Sequence, residues 1–299
     1  MARAPVPNPI AVPNRPGLLP GNLRPRSSRR PQVLAHLGLI VYSLIALFPT
    51  LMIVMNSFKD RSTIFSAPFA LPTASTFSLD GYRTLAESAN FPLYFLNSLT
   101  VTVGSLLLIL LVSSMAAYAL SEYTFRLNPL IALYLSIGIM VPIRLGTIGI
   151  LNLMVGLHLV NTLWALILVY TAQGIPLAVF VLSSFMRGVP KELKEAARID
   201  GASEYRIYGL ILPLIRPALG AVTAISMIPI WNDLWFPLIL APGESTKTIV
   251  LGASAFLGQF VNDYSAVLAA LTLAIVPVVV LYIIFSRQLV SGITGGAVK

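Results

Sequence analysis

The sequence predicts an all-α integral membrane protein of six transmembrane helices, and three observations carry that prediction. Of the 299 residues, 57% are hydrophobic and only 10% are charged, whereas a soluble domain carries about a quarter charged residues. A water-facing surface of this size cannot be covered with so few charges. Apolar runs of about 20 residues, the length that crosses a hydrocarbon core, recur along the chain, and the basic residues are confined to some of the segments between them.

Residues 1–31 hold eight prolines and six arginines with no apolar periodicity, which describes a disordered basic cytoplasmic tail. The run Val33–Met55 is too long for a signal-peptide core and is not followed by a small-residue cleavage pattern. It is expected to be an uncleaved first span, part of a segment 32–94 whose remainder is extracytoplasmic and aromatic (Phe65, Phe69, Tyr82, Phe91, Tyr94). The transport core, 95–290, is expected to hold five further spans: Leu99–Leu120, about 129–148, Leu163–Met186, Pro217–Leu240 and Ala266–Phe285. Arg144 sets the outer limit of the third, because an arginine at mid-helix costs roughly 2.5–3.5 kcal/mol. Residues 291–299 form a cytoplasmic tail in this reading.

The net charge of +9 is distributed as a multi-pass protein distributes it. With the basic tail inside, Arg126, the 187–217 loop, Arg287 and Lys299 also fall inside, while Lys59, Arg61, Arg83, Arg144 and Lys247 fall outside. The inner excess places both termini in the cytoplasm. No basic recognition module accompanies the charge, so nucleic acid is not an expected partner; the lipid bilayer is. Cysteine is absent, which excludes disulfides and thiol chemistry. With only His36 and His158, a histidine metal site is not expected.

Prolines lie within or beside the spans (Pro49, Pro142, Pro176, Pro229, Pro237, Pro277), and the second span carries Gly104, Ser105, Ser113, Ser114, Ala116 and Ala117. Freed carbonyls in a bilayer survive only where protein or water satisfies them, and small residues let helices approach closely. Both suit a packed bundle around a pathway, or ordinary packing in any polytopic protein.

The 187–217 loop holds ten charged residues, a penalty of roughly 25–35 kcal/mol in hydrocarbon, so it is cytoplasmic. Within it, Pro190 suits a helix start, and Leu193, Ala196 and Ala197 recur at i, i+3, i+4 spacing. Gly201 suits a helix stop and Ser203 the cap of a second helix. The prediction is a helix–glycine–helix hairpin with a small-residue face for another protein.

The pattern Glu195-Ala196-Ala197-x-x-x-Gly201 followed by Leu212-Pro213 resembles the EAA loop of bacterial ABC importer permeases. Asn97-Ser98-Leu99, Ala117-Tyr118-Ala119, Trp231-Asn232-Asp233 and the ending Gly292–Lys299 resemble the carbohydrate-uptake branch of that family. Pro213 stands one residue nearer Gly201 than in the usual pattern, a difference of about 100° around a helix. The resemblance covers 33–299 and implies a type I importer permease fold in a bacterial inner membrane. It also implies a sister permease, an ATPase dimer that binds ATP and Mg, an extracytoplasmic solute-binding protein and a sugar substrate. Glu195, Ala196, Ala197, Asp200, Gly201, Leu212 and Pro213 would then couple the chain to the ATPase, with Glu195 paired to a basic residue there and Asp200 at a helix end. The loop Ala241–Tyr264 would either touch the binding protein or serve as a connector.

Asn232 and Asp233 are candidates for a gating or structural role; Asp233 alternatively suits proton transfer, and Trp231 and Trp235 place it beside an interfacial aromatic belt. The chain carries no G-x-x-x-x-G-K-[ST], G-x-S-x-G or H-E-x-x-H pattern, so it is expected to have no catalytic residue, cofactor or metal of its own. The rival reading is an ion-coupled secondary transporter, which requires membrane-embedded ionisable sites.

Overall fold

Each apolar run becomes helix in the computed structural model, which describes residues 29–87, 90–257 and 263–295. The chain divides into two units, 1–49 and 50–299. The described part of the first is the body of helix α1 (Arg29–Asn56), of which Val33–Asn56 is long and apolar enough to span a membrane. The expected tail falls mostly outside the described residues, since helix begins at Arg29.

In the second unit, α2 (Arg61–Ser66) and α3 (Asp80–Glu87) follow α1 and build a small cap. Asp60 caps α2 through the Thr63 amide at 3.0 Å. Phe58 stacks on Phe77 and Tyr82. Lys59 is 1% exposed and pairs with no carboxylate among the described residues; its ammonium donates to Asn56 Oδ1 and the Ala67 carbonyl, each at 3.0 Å.

Helix α4 (Phe91–Glu122) then crosses the bundle, packed most extensively on α7 (Leu163–Arg187). Ser105, Ser113 and Ala117 of α4 are fully buried. Trp231, at the end of α10 (Arg216–Trp231), is 2% exposed and donates its indole N–H to Ala274 of α13 (Tyr264–Gly295) at 3.0 Å. This corrects the belt assignment for Trp231. With its N–H satisfied by the Ala274 carbonyl and its ring excluded from solvent, the indole belongs to the core.

Two expected spans are broken. The third ends as α5 (Asn128–Met140), passes through a 3₁₀ turn, Ile143–Gly146, and resumes as α6 (Thr147–Gly156), bent by 91°. Pro142 forces Val141 to extended backbone (ψ 119°), so the helix does not run to 148. The fifth stops at Trp231, and Asn232–Leu234 separate it from α11 (Trp235–Leu240). With Asp233 capping α11, the helix restarts instead of running to Leu240. A second bend, of 73°, separates α10 from α9 (Glu204–Leu214), which follows α8 (Lys191–Ile199). Helix α13 continues to Gly295, so residues 291–295 are helical; 296–299 lie outside the described residues.

Near the start of α4, Asn97 and Ser98 hold the loop before α12 (Ile249–Ser254). Asn97 Nδ2 donates to the Ser245 and Lys247 carbonyls, each at 3.0 Å, and Ser98 Oγ accepts from the Ile249 amide at 2.8 Å.

Gly81 of α3 sits against α13 so closely that an added Cβ would collide with the Ser265 carbonyl backbone. Gly81→Ala is expected to lower stability by about 1–3 kcal/mol, read as earlier thermal unfolding of the purified protein in detergent.

Candidate coupling surface and the helix breaks

The charged 187–217 segment folds as the expected hairpin. Helix α8 ends through Gly201, whose φ of +75° is a left-handed conformation that glycine adopts without strain. The Ala202 amide bonds back to Ala197 O at 2.9 Å and the Gly201 amide to Arg198 O at 3.0 Å, closing a Schellman-type stop. Asp200 is the C-cap residue, as expected. Ser203 occupies the N-cap of α9 with extended backbone, but its side chain makes no capping bond.

The hairpin has two different faces. Lys194, 4% exposed, donates to Glu122 at the C-terminal end of α4 and to the Met186 carbonyl at 3.4 Å. Arg198 reaches Glu122 Oε2 at 3.6 Å and Glu204 Oε1 at 2.9 Å, bridging the two arms across Gly201. Tyr118 donates to Glu204 Oε2 at 2.6 Å, and Ser114 Oγ and Tyr208 Oη share a hydrogen bond at 2.7 Å. Ile207 and Ile211 are each 1% exposed and pack into the core. One helix of the bundle thus holds both arms by paired charges and phenols.

The opposite face is open. Glu195 and Ala196 are exposed beside Leu193 and Ile199, the last 86% exposed, with Tyr205 at 81% on α9. Of the i, i+3, i+4 set, only Ala197 turns half-buried toward the core; Asp200 and Gly201 lie at the exposed tip. Leu212 is half-buried and Pro213 exposed in the last turn of α9, so the shortened spacing still leaves Ile207, Ile211 and Ile215 facing inward.

Glu122, Lys194, Arg198, Glu204, Tyr118 and Tyr208 were not singled out as site residues by sequence reasoning. Glu122, an acid immediately after an apolar span, and Lys194 with Arg198 at i, i+4 were the signals available.

Asn232 and Asp233 do not join the hairpin. They sit at the other end of α10, roughly 24 Å away at 1.5 Å per residue, between α10 and α11. Asp233 accepts from Tyr170 Oη at 2.8 Å and from the Phe236 amide at 3.1 Å, and pairs with Arg144 at 3.6 Å. Arg144 lies 5.8 Å from the Trp235 ring centroid, and the Trp235 indole donates to Thr147 Oγ1 at 3.1 Å. The two broken spans are therefore joined at their breaks.

The Arg198 guanidinium, with the hydroxyls of Tyr118 and Tyr123, holds the Glu204 carboxyl down from 4.5 to about 2. A depressed carboxyl contributes its stability above the unfolded value and loses it as pH falls through the folded one. The hydrogen-exchange protection factor of the hairpin, with the intrinsic pH dependence of exchange divided out, is therefore expected to be constant from about pH 8 to about pH 5 and to fall on approach to about pH 2. Glu122→Ala strands Lys194, a change that costs roughly 3–5 kcal/mol for a buried partner. It is expected to expose the hairpin to trypsin at neutral pH while membrane insertion persists.

Comparison with known proteins places this architecture. Residues 109–295 match the family described as binding-protein-dependent transport system inner membrane component. The chain is 33% identical over 276 residues to the diacetylchitobiose uptake system permease protein NgcG of Streptomyces coelicolor, covering 91% of each chain. It is 34% identical over 269 residues to the arabinooligosaccharides transport system permease protein AraQ of Halalkalibacterium halodurans, covering 89% of this chain and 96% of that one. In fold it is similar to a chain of a bacterial ABC transporter involved in the import of alginate, with a TM-score of 0.73 at 22% identity, covering 88% of this chain and 97% of that chain. A helical hairpin tied to a bundle of apolar helices, matched in family over most of its length, identifies this chain as a member of the inner-membrane permease components of binding-protein-dependent transport systems.

Proposed function

We propose that this chain is one permease subunit of an ATP-driven importer for sugars: oligosaccharides, disaccharides or related polyols and glycerol phosphates. The observation that carries the reading is the two-faced hairpin. One face is locked to α4 through Glu122 and Tyr118, and the other presents Glu195, Ala196, Ile199 and Gly201 to a partner. The names of the relatives, which specify diacetylchitobiose and arabinooligosaccharides, support the substrate class.

The partners are a sister permease, an extracytoplasmic binding protein and a pair of ATPase subunits. ATP and Mg are bound by the ATPase, since this chain has no phosphate-binding loop of the Walker type. The hairpin lies on the cytoplasmic side, and both termini are cytoplasmic. Glu195 pairs with a basic residue of the ATPase, and exposed Leu193 and Ile199 fill its cleft.

Closure of the ATPase pair on ATP moves the hairpin as a body. Lys194 and Arg198 transmit that displacement to Glu122 and thus to the whole of α4, which packs along α7. The permease pair passes between inward- and outward-facing states, driven by the differential affinity of ATP for the two. Ion coupling is disfavoured by the setting of Asp233. Its carboxylate is engaged by Arg144, Tyr170 and the α11 amides, the contacts that join the two helix breaks.

Glu195→Lys and Gly201→Asp are expected to leave the protein inserted while abolishing ATP-dependent uptake and weakening co-purification of the ATPase. Asp tolerates the left-handed backbone better than most residues, so the second variant reads out the added charge. Uptake at the wild-type rate in both would defeat the assignment. A membrane-impermeant thiol reagent is expected to label Ala202→Cys only after cells are opened.

A further inference from the structure

Arg144 is the charge that the coupling mechanism leaves unexplained. It follows the break after α5, roughly 20 Å from the inner end of that 13-residue helix, and its side chain is 67% exposed. A guanidinium at that depth does not face hydrocarbon; intramembrane cations face the bundle interior or a water-filled cavity. Broken backbone at the same level has the same requirement, and the second break, at Asn232–Leu234, lies against the first. This corner therefore faces water or a partner's polar wall.

Its chemistry is that of a site for an uncharged, hydroxyl-rich ligand. Asp233 balances Arg144, so the pair attracts no net counter-charge. One oxygen contact at 3.6 Å leaves the planar fork with further N–H donors. Asn232, exposed and adjacent, uses its amide N–H on the Ile228 carbonyl at 3.0 Å, which leaves Oδ1 as an acceptor. Trp235 is 41% exposed and its ring is fixed by Thr147. Donors, an acceptor and an aromatic surface on one rigid corner match the vicinal hydroxyls and apolar face of a sugar ring.

We propose that Arg144, Asn232 and Trp235 form a contact site for an uncharged saccharide on the translocation path, with Asp233, Tyr170 and Thr147 as its positioning residues. The inference rests on the importer reading above. An acidic sugar would compete with Asp233 for the guanidinium and is disfavoured at this site.

The test uses the complete transporter in proteoliposomes, with diacetylchitobiose and arabinotriose as uncharged probes and digalacturonate as the acidic one. Wild type is expected to carry at least one uncharged probe in preference to the uronate. Arg144→Gln and Asn232→Ala are expected to lower the sugar moved per ATP hydrolysed about ten- to a hundredfold, the loss of a hydrogen bond to a charged or buried partner. Arg144→Lys, which keeps the charge but not the fork, is expected to recover only part of it. If Arg144→Gln fails to assemble, Asn232→Cys decides alone, since the parent chain has no cysteine. Its reaction with a water-soluble methanethiosulfonate is expected to slow when the transported sugar is present at saturation. An unchanged sugar-to-ATP ratio, or a cysteine that sugar does not protect, overturns the site and leaves the importer reading intact. Preference for the uronate also overturns it. ATP-driven uptake of none of the probes removes the sugar reading and this site with it.

Discussion

The structure depends on one buried ionic contact, between Glu122 at the C-terminal end of α4 and Lys194 of α8. Both side chains are nearly excluded from solvent, at 8% and 5% exposure, where a charge without its partner is costly. The pair is completed by Arg198, which binds Glu122 and Glu204 together and so joins both arms of the hairpin to the same helix. Apolar packing of Ile207 and Ile211 supplies adhesion, but it does not fix direction; the ion pairs set the angle at which the open face meets a partner.

That arrangement separates two requirements that would conflict on one surface. In the proposed coupling role the inner face has to be stiff, and it is built from salt bridges, phenol hydroxyls and isoleucines. The outer face is open, and its acids Glu192, Glu195 and Asp200 form no ion pair among the described residues. At the far end of α10, Asp233 performs a comparable task for the two helix breaks, gathering Tyr170, Arg144 and the α11 amides. Both ends of the same bent pair of helices are thus positioned by carboxylates.

Much of this was legible in the sequence, for identifiable reasons. Low charge and long apolar runs mark spans because a bilayer imposes length and polarity independently of tertiary detail. The hairpin was legible because Gly201 and the capping positions are local signals. The helix breaks were not. Pro142 and Pro229 are both prolines within apolar runs, yet the first ends a helix and the second lies inside α10, which stops only at Asn232. Which outcome prevails depends on what accepts the freed backbone groups, a tertiary matter. Trp231 misled for a similar reason: its burial follows from a carbonyl of α13 distant in sequence. The inward turn of Lys194 required Glu122, separated from it in the chain by α5, α6 and α7.

The coincidence of two interruptions at one depth bears on insulation. Over the 16 residues of α10 the continuous helix is about 24 Å long, short of the roughly 30 Å of a typical hydrocarbon slab. Beyond Trp231 and Met140 the chain turns aside, and at this corner the subunit offers no continuous helical wall. The insulation it contributes is therefore thinnest there, and resistance to ion leak falls to whatever protein closes the corner.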